Sequence, residues 1–184
     1  MNYMYHNYTQ NVSKEKIERL NDLHKSLKSN DVNHGNPKLR TSVITALDKY
    51  ENKDVFDLIY QLGLQANKDA YQFHVNHISH CQFTLYDEKQ KGHYDWHMDF
   101  RGFSETVKNK TRKITVIVQL SDPSEYEGGE LQLKYSKYNK KEKENMMQQG
   151  SVITFPCWLE HRVTPVTKGQ RKSLIGWIEG NTWQ

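Results

Sequence analysis

Two residues of His97-Met98-Asp99 can ligate a metal, and their spacing puts both on one face of a strand, because side chains alternate across a pleated backbone. A third ligand would complete a site. His161 is a candidate, since it opens a β-prone run just after Pro156-Cys157-Trp158, residues suited to an apolar wall. Two imidazoles and one carboxylate leave the other side of a six-coordinate ion open, which suits Fe(II), while Zn(II) tolerates the same donors. Asp95 shares a face with His97 in a regular strand and is an alternative carboxylate.

Arg171 follows His161 at the head of the last β-prone run. A guanidinium held deep in a site without a fixed acidic partner implies an anionic ligand, because it matches a carboxylate in charge and two-pronged geometry. The distal carboxylate of 2-oxoglutarate is such a ligand. Ser173 alternates to the same face as Arg171, and Tyr86, ending an earlier run, offers a phenol from across a barrel.

These groups need elements to hold them. Ser13 can cap a helix whose apolar positions Ile17, Leu20, Leu23 and Leu27 recur near a period of 3.6, and the polar stretch 29–38, with Gly35 and Pro37, ends it. A short β-branched run at 41–47 precedes a second helical face marked by Val55, Leu58, Ile59 and Leu62. From Tyr71 the texture changes to short β-prone runs at 71–75, 81–86, 114–120, 130–133, 151–155, 162–166 and 173–178. Gly128-Gly129, Gly150-Ser151 and Lys168-Gly169 punctuate them, and no helical pattern lies between the runs as a parallel sheet would need. The spacing therefore predicts a mainly β fold with covering helices, the helices first and an antiparallel sandwich or barrel after them. The lysine-rich stretch 134–144 is expected to be a hairpin loop. The loop 100–112 would overhang the open face of the metal as a lid.

The chain has 184 residues, 35% hydrophobic and 26% charged, which fits one domain over 1–184, with a helical buttress at 1–70 and a β core at 71–184. No apolar run has the length of a signal peptide core or a membrane span, so a soluble protein of the cytoplasm is expected, without membrane partners. Cys81 and Cys157 fit small buried hydrophobes better than a disulfide. The net charge of +4 concentrates at 108–113 and 134–143, but the second stretch mixes Glu142 and Glu144 with its lysines. A solvated surface is favoured over a nucleic-acid partner.

The chain resembles the prolyl 4-hydroxylase-like branch of the Fe(II)/2-oxoglutarate-dependent dioxygenases, especially the PKHD-type hydroxylases. The resemblance rests on Gly92-His93-Tyr94-Asp95-Trp96-His97-Met98-Asp99, on Val118-Gln119-Leu120-Ser121-Asp122-Pro123 with Tyr126-Glu127-Gly128-Gly129-Glu130-Leu131, and on the stretch 150–177, which includes Phe155-Pro156, His161-Arg162-Val163-Thr164-Pro165-Val166, Gly169, Arg171 and Ser173. It implies a double-stranded β-helix (jelly-roll) core, with His97, Asp99 and His161 as iron ligands and Arg171 on the distal carboxylate of 2-oxoglutarate. Tyr86 resembles a tyrosine that also contacts that carboxylate, and Ser173 is placed with them. Fe(II), 2-oxoglutarate, O2 and ascorbate are the implied cofactors and cosubstrates. The implied reaction is hydroxylation of an aliphatic C–H, in prolyl residues of a peptide or protein first, with small molecules also open. A nucleobase-repair dioxygenase and a non-redox jelly-roll metal-binding module are the alternatives. Trp96, Trp158 and Trp177 are expected to wall the barrel, and no pattern speaks to oligomeric state.

Overall fold

The computed structural model describes residues 5–28, 30–32, 36–100 and 109–182. In chain order its elements are β1 (His6–Tyr8), α1 (Lys14–Ser26), β2 (Asn30–Val32), β3 (Arg40–Ala46), α2 (Lys53–Ala66), β4 (His77–Asp87), β5 (His93–His97), β6 (Lys110–Gln119), β7 (Tyr126–Gly128), β8 (Leu131–Leu133), α3 (Lys140–Met147), β9 (Val152–Pro156), β10 (His161–Val163) and β11 (Val166–Asn181). The strands pair antiparallel in the order β1-β9-β6-β11-β4-β3-β5-β10-β8, with β2 beside β3 and β7 beside the start of β11. The result is one sheet that curls on itself into a half-barrel.

Alternation along the central strands divides two apolar clusters. Val116 and Val118 of β6, Phe83 of β4, and Leu174 and Ile178 of β11 pack with Ile17, Leu20, Phe56 and Ile59 of α1 and α2. Ile117, Tyr86, Ile153 and Phe155 turn to the other face, where Leu131, Leu133, Val163 and Val166 close the barrel. α2 sits tight on the sheet, because a Cβ on Gly63 would fall 2.3 Å from the Ile178 side chain. α1 begins where the sequence places it, with the Ser13 hydroxyl accepting from the Lys16 amide.

Several expectations change. The run 71–75 is not a strand: a π-helical turn, Asn67–Tyr71, ends at Gln72 with φ 55°, and the Asn67 side chain clamps both the amide and the carbonyl of Phe73. The backbone there finds its partners locally, so it joins no ladder. The stretch 134–144 holds the start of α3, because Asn139 and Glu142 form a reciprocal capping box. A helix thus does interrupt the β runs. The first 70 residues supply β1, β2 and β3 as well as two helices, and β3 pairs with both β4 and β5. The proposed lid falls largely on 101–108, outside the described residues, while Lys110–Arg112 belong to β6. Cys81 and Cys157 are buried and free, and burial pushes both thiols up to about 12. Among the described residues no helix is long and apolar enough to cross a membrane.

Candidate metal centre and anion pocket

β5 lies antiparallel to β10 with His97 opposite His161, so pairing across the two strands brings the imidazoles together. β5 ends at His97, and Asp99 lies two residues beyond it, outside the regular strand on which the spacing argument relied. The carboxylate is nevertheless gathered in. One ligand atom from each of His97, Asp99 and His161 lies within 4.8 Å of the others. His97 Nε2 is 3.8 Å from Asp99 Oδ1, and His161 Nε2 is 3.5 Å from Asp99 Oδ2. Asp95 is not in this group, and its side chain is exposed.

Both imidazoles are oriented by the backbone. His97 Nδ1 meets the Asp95 carbonyl at 2.7 Å, and His161 Nδ1 meets the Leu159 carbonyl at 2.9 Å. A carbonyl only accepts, so Nδ1 donates in each and the Nε2 lone pairs face the centre. Tyr94 stacks on His97 with ring centroids 3.4 Å apart, and Phe155 flanks His161. Asp99 is tethered by the Thr115 hydroxyl of β6, which donates to Oδ2 at 2.8 Å. The buried Trp177 Nε1 has no partner of normal hydrogen-bond geometry among the described residues, yet lies close enough to the same carboxylate to lower its pKa.

Electrostatics prepare the group for a cation. Burial pushes Asp99 up, but His161 and His97, with the Trp177 indole and the Thr115 hydroxyl, hold it below the usual carboxylate value. Burial and the neighbouring His161 push His97 down to about 4, against the opposing pull of Asp99. Near neutral pH the set therefore offers an ionised carboxylate beside a neutral His97 imidazole. A donor set of two imidazoles and one carboxylate fits Fe(II). The low value of His97 also carries a stability prediction for the metal-free protein. Between its unfolded value of 6.5 and about 4, the unfolded chain binds a proton at His97 that the folded chain does not. Stability is expected to fall as pH drops through that window. Thermal unfolding across it should give a shallower slope for His97→Gln, and an unchanged slope would contradict the assignment.

The candidate anion pocket is built on β11. Arg171 pairs with Tyr86 of β4 and is 3% exposed, its guanidinium carbon 5.7 Å from the Tyr86 ring centre. Its Nη2 donates to Gln119 Oε1 at 3.0 Å, and Gln119 Nε2 donates to the Tyr126 hydroxyl at 2.7 Å. Among the described residues no carboxylate forms an ion pair with Arg171. Ser173 is 1% exposed, and its hydroxyl is buried without a hydrogen-bond partner among the described residues. A buried guanidinium met by the neutral Gln119 side chain, and on the same strand a buried hydroxyl without a partner among the described residues, are costly unless a ligand supplies further acceptors. A carboxylate fits both. Burial raises Tyr86, although Arg40 and Arg171 oppose it, so the phenol stays protonated as a donor. Gly129, at φ +60°, admits the arginine stem, because a Cβ there would lie 3.1 Å from Arg171 Cδ.

Sequence reasoning missed Thr115, Gln119, Tyr126 and Arg40. Alternation in β6 could have placed Thr115 and Gln119 inside, since Ile114, Val116 and Val118 all belong to the helix-facing cluster. Nothing in the sequence marked Arg40, which is buried on β3 with its guanidinium carbon 4.4 Å from the centre of the Tyr94 ring. Of the three tryptophans expected to wall the barrel, Trp177 is buried under Arg112, Trp96 lies under Arg162, and Trp158 is 40% exposed against Phe73.

The model of the family described as the 2OG-Fe(II) oxygenase superfamily matches residues 81–179. A PKHD-type hydroxylase of Idiomarina loihiensis is 34% identical over 100 residues, which is 54% of this chain and 42% of that relative. The match therefore spans less than half of that relative's length. Among solved structures, a viral collagen prolyl hydroxylase from Paramecium bursaria Chlorella virus-1, in its 2OG complex, superposes with a TM-score of 0.72 at 20% identity, over 97% of each chain. A Pseudomonas putida prolyl-4-hydroxylase superposes with a TM-score of 0.70 at 17% identity, over 98% of this chain and 94% of that one. At such identities the likeness speaks for the fold, and that fold is the jelly-roll with covering helices that the family resemblance implies.

Proposed function

From the premise that the chain belongs to the 2OG-Fe(II) oxygenase superfamily, we propose that it is a dioxygenase that hydroxylates an aliphatic C–H of its substrate, with prolyl residues in a peptide or protein as the substrate class. 2-Oxoglutarate and O2 are the cosubstrates of this reading, succinate and CO2 the co-products, and ascorbate a supporting reductant. The observation that carries it is the placement, in one half-barrel, of the His97, Asp99 and His161 group with a buried Arg171 that no carboxylate among the described residues pairs, and a Ser173 hydroxyl without a partner among them. The relative named a PKHD-type hydroxylase and the neighbours named prolyl hydroxylases support the substrate class.

In this reading His97 Nε2, His161 Nε2 and the Asp99 carboxylate hold Fe(II), which supplies O2 activation and oxidative decarboxylation of the 2-oxo acid when both are bound. The protein's own part is positioning and charge. Asp99 contributes one negative charge to the metal. Arg171 takes the distal carboxylate of 2-oxoglutarate, with Ser173 and Tyr86 as further donors. Tyr94, stacked on His97, keeps that imidazole in place and excludes water from its face.

Two tests follow. Purified protein supplied with Fe(II), 2-oxoglutarate, ascorbate and a proline-rich peptide should form succinate together with a peptide heavier by one oxygen atom. Succinate without a modified peptide would retain the oxygenase and discard the prolyl substrate; no succinate under any substrate would discard both. The tether to Asp99 is tested separately. Thr115→Val should weaken metal binding by about 10- to 100-fold, the usual effect of losing an outer partner of a ligand. A chelator competition with Co(II) reads it, and Thr115→Ser, which keeps the donor, should restore affinity.

A further inference from the structure

Among the described residues, three of the seven buried side-chain atoms that lack a hydrogen bond lie on β11: Ser173 Oγ, Trp177 Nε1 and Glu179 Oε2. Leu174 and Ile178 of that strand pack against the helices, so 173, 177 and 179 share its barrel face. They run in order away from the anion pocket. Ser173 sits near Arg171, and Trp177, opposite Thr115 on β6, sits beside Asp99. Glu179 comes two residues later, so it lies beyond the metal group on the side away from Arg171. The cosubstrate and a metal ligand account for the first two, and neither accounts for Glu179. We propose that Glu179 is a substrate-binding residue, whose Oε2 accepts from the backbone N–H that follows the target prolyl residue. The inference rests on the reading of a prolyl peptide as substrate.

The side chain is held as an acceptor. Glu179 is 1% exposed, and the Ser79 hydroxyl donates to its Oε1 at 2.6 Å, which orients the carboxyl group and leaves Oε2 over. Among the described residues no cation forms an ion pair with it. His77, opposite it on β4, is kept below its ordinary value by burial and by Lys49, against the pull of Glu179, so near neutral pH that ring adds no charge. A buried carboxyl oxygen without a donor is costly. What is missing is a donor rather than another cation. Arg112 already stands opposite Glu179 on β6 with its guanidinium over the Trp177 ring, and Lys110, held by Asn76 and Asn181, is at the same end of the strand. A peptide N–H supplies a donor without further charge. The prolyl nitrogen carries no hydrogen, so the first N–H on the carboxyl side of the target belongs to the next residue. Free proline has no such amide, and the contact therefore selects peptides over small molecules.

Fluorescence anisotropy with two labelled peptides tests the contact, one alternating prolyl and alanyl residues and the other with lactyl in place of every alanyl, so that an ester oxygen replaces each N–H after proline. A polyproline II backbone has no internal hydrogen bonds, so the exchange removes a donor without unwinding the chain. The full chain is loaded with 2-oxoglutarate and with Zn(II), which accepts the same donors without turnover. Wild type should bind the ester peptide about 10- to 100-fold more weakly, the range for a hydrogen bond to a charged group. Glu179→Leu should bind the amide peptide as weakly as the ester. Glu179→Gln, which keeps the shape and an accepting oxygen but not the charge, should narrow the gap. Both variants should hold 2-oxoglutarate as wild type does, and if Glu179→Leu does not fold, Glu179→Gln decides. No gap in wild type, or a gap undiminished in Glu179→Gln, overturns the proposal and leaves the prolyl reading in place. If neither peptide binds wild type that holds 2-oxoglutarate, the prolyl reading falls and this inference with it.

Discussion

Asp99→Ala is expected to leave a folded protein whose succinate formation falls by more than about 100-fold, beyond the range seen for outer partners of metal ligands. Asp99 is the one carboxylate in the group and the one ligand outside the β5–β10 ladder, so its removal takes away the negative charge at the metal and leaves two neutral donors. The cost to folding is smaller, because deleting the side chain orphans the Thr115 hydroxyl, about 1–3 kcal/mol, yet also relieves the burial of a charge. Asp99→Asn separates charge from geometry, since its amide oxygen can still accept from Thr115 while the charge is gone. Metal affinity by chelator competition, turnover by succinate release and thermal unfolding together check this. Wild-type turnover in either variant would remove Asp99 from the metal site.

Arg171→Met should raise the KM for 2-oxoglutarate by at least about 30-fold while leaving metal affinity near that of the wild type. Truncating one partner of a buried, hydrogen-bonded charge pair costs about 2–5 kcal/mol, and each 1.4 kcal/mol is ten-fold. Arg171 is 3% exposed, and Gln119 is its neutral partner, so the ligand carboxylate would lose the buried counter-charge that Arg171 supplies. Arg171→Lys should recover part of the loss, because it restores charge without the two-pronged geometry. Steady-state kinetics in 2-oxoglutarate, with a metal titration of the same preparation, separate the outcomes. Parallel loss of metal and cosubstrate binding would mean that the barrel had failed rather than the pocket.

What was legible in the sequence follows period and punctuation. Ser13 and the spacing of Ile17 and Leu20 predicted α1, and the alternating runs predicted β4, β6, β9 and β11, because burial on one or both faces imprints itself on residues close in sequence. The π-helical turn before Phe73 was hidden, since one side chain, Asn67, decided it. α3 was obscured by its lysines, although Asn139 and Glu142 carried its start signal.

The site divides in the same way. His97 and Asp99 stood out by adjacency, and His161, Arg171, Ser173 and Tyr86 by residue type and the family resemblance. By itself the sequence determined the residue types that could bind a metal and a carboxylate, and the fold class that could hold them. Only the tertiary structure decided that His97 faces His161 across β5 and β10, that Thr115 reaches Asp99 beyond a strand end, and that Gln119 rather than an acid meets Arg171. Those contacts join residues far apart in the chain. Register and curl of the sheet set them, and neither leaves a local trace in the order of amino acids.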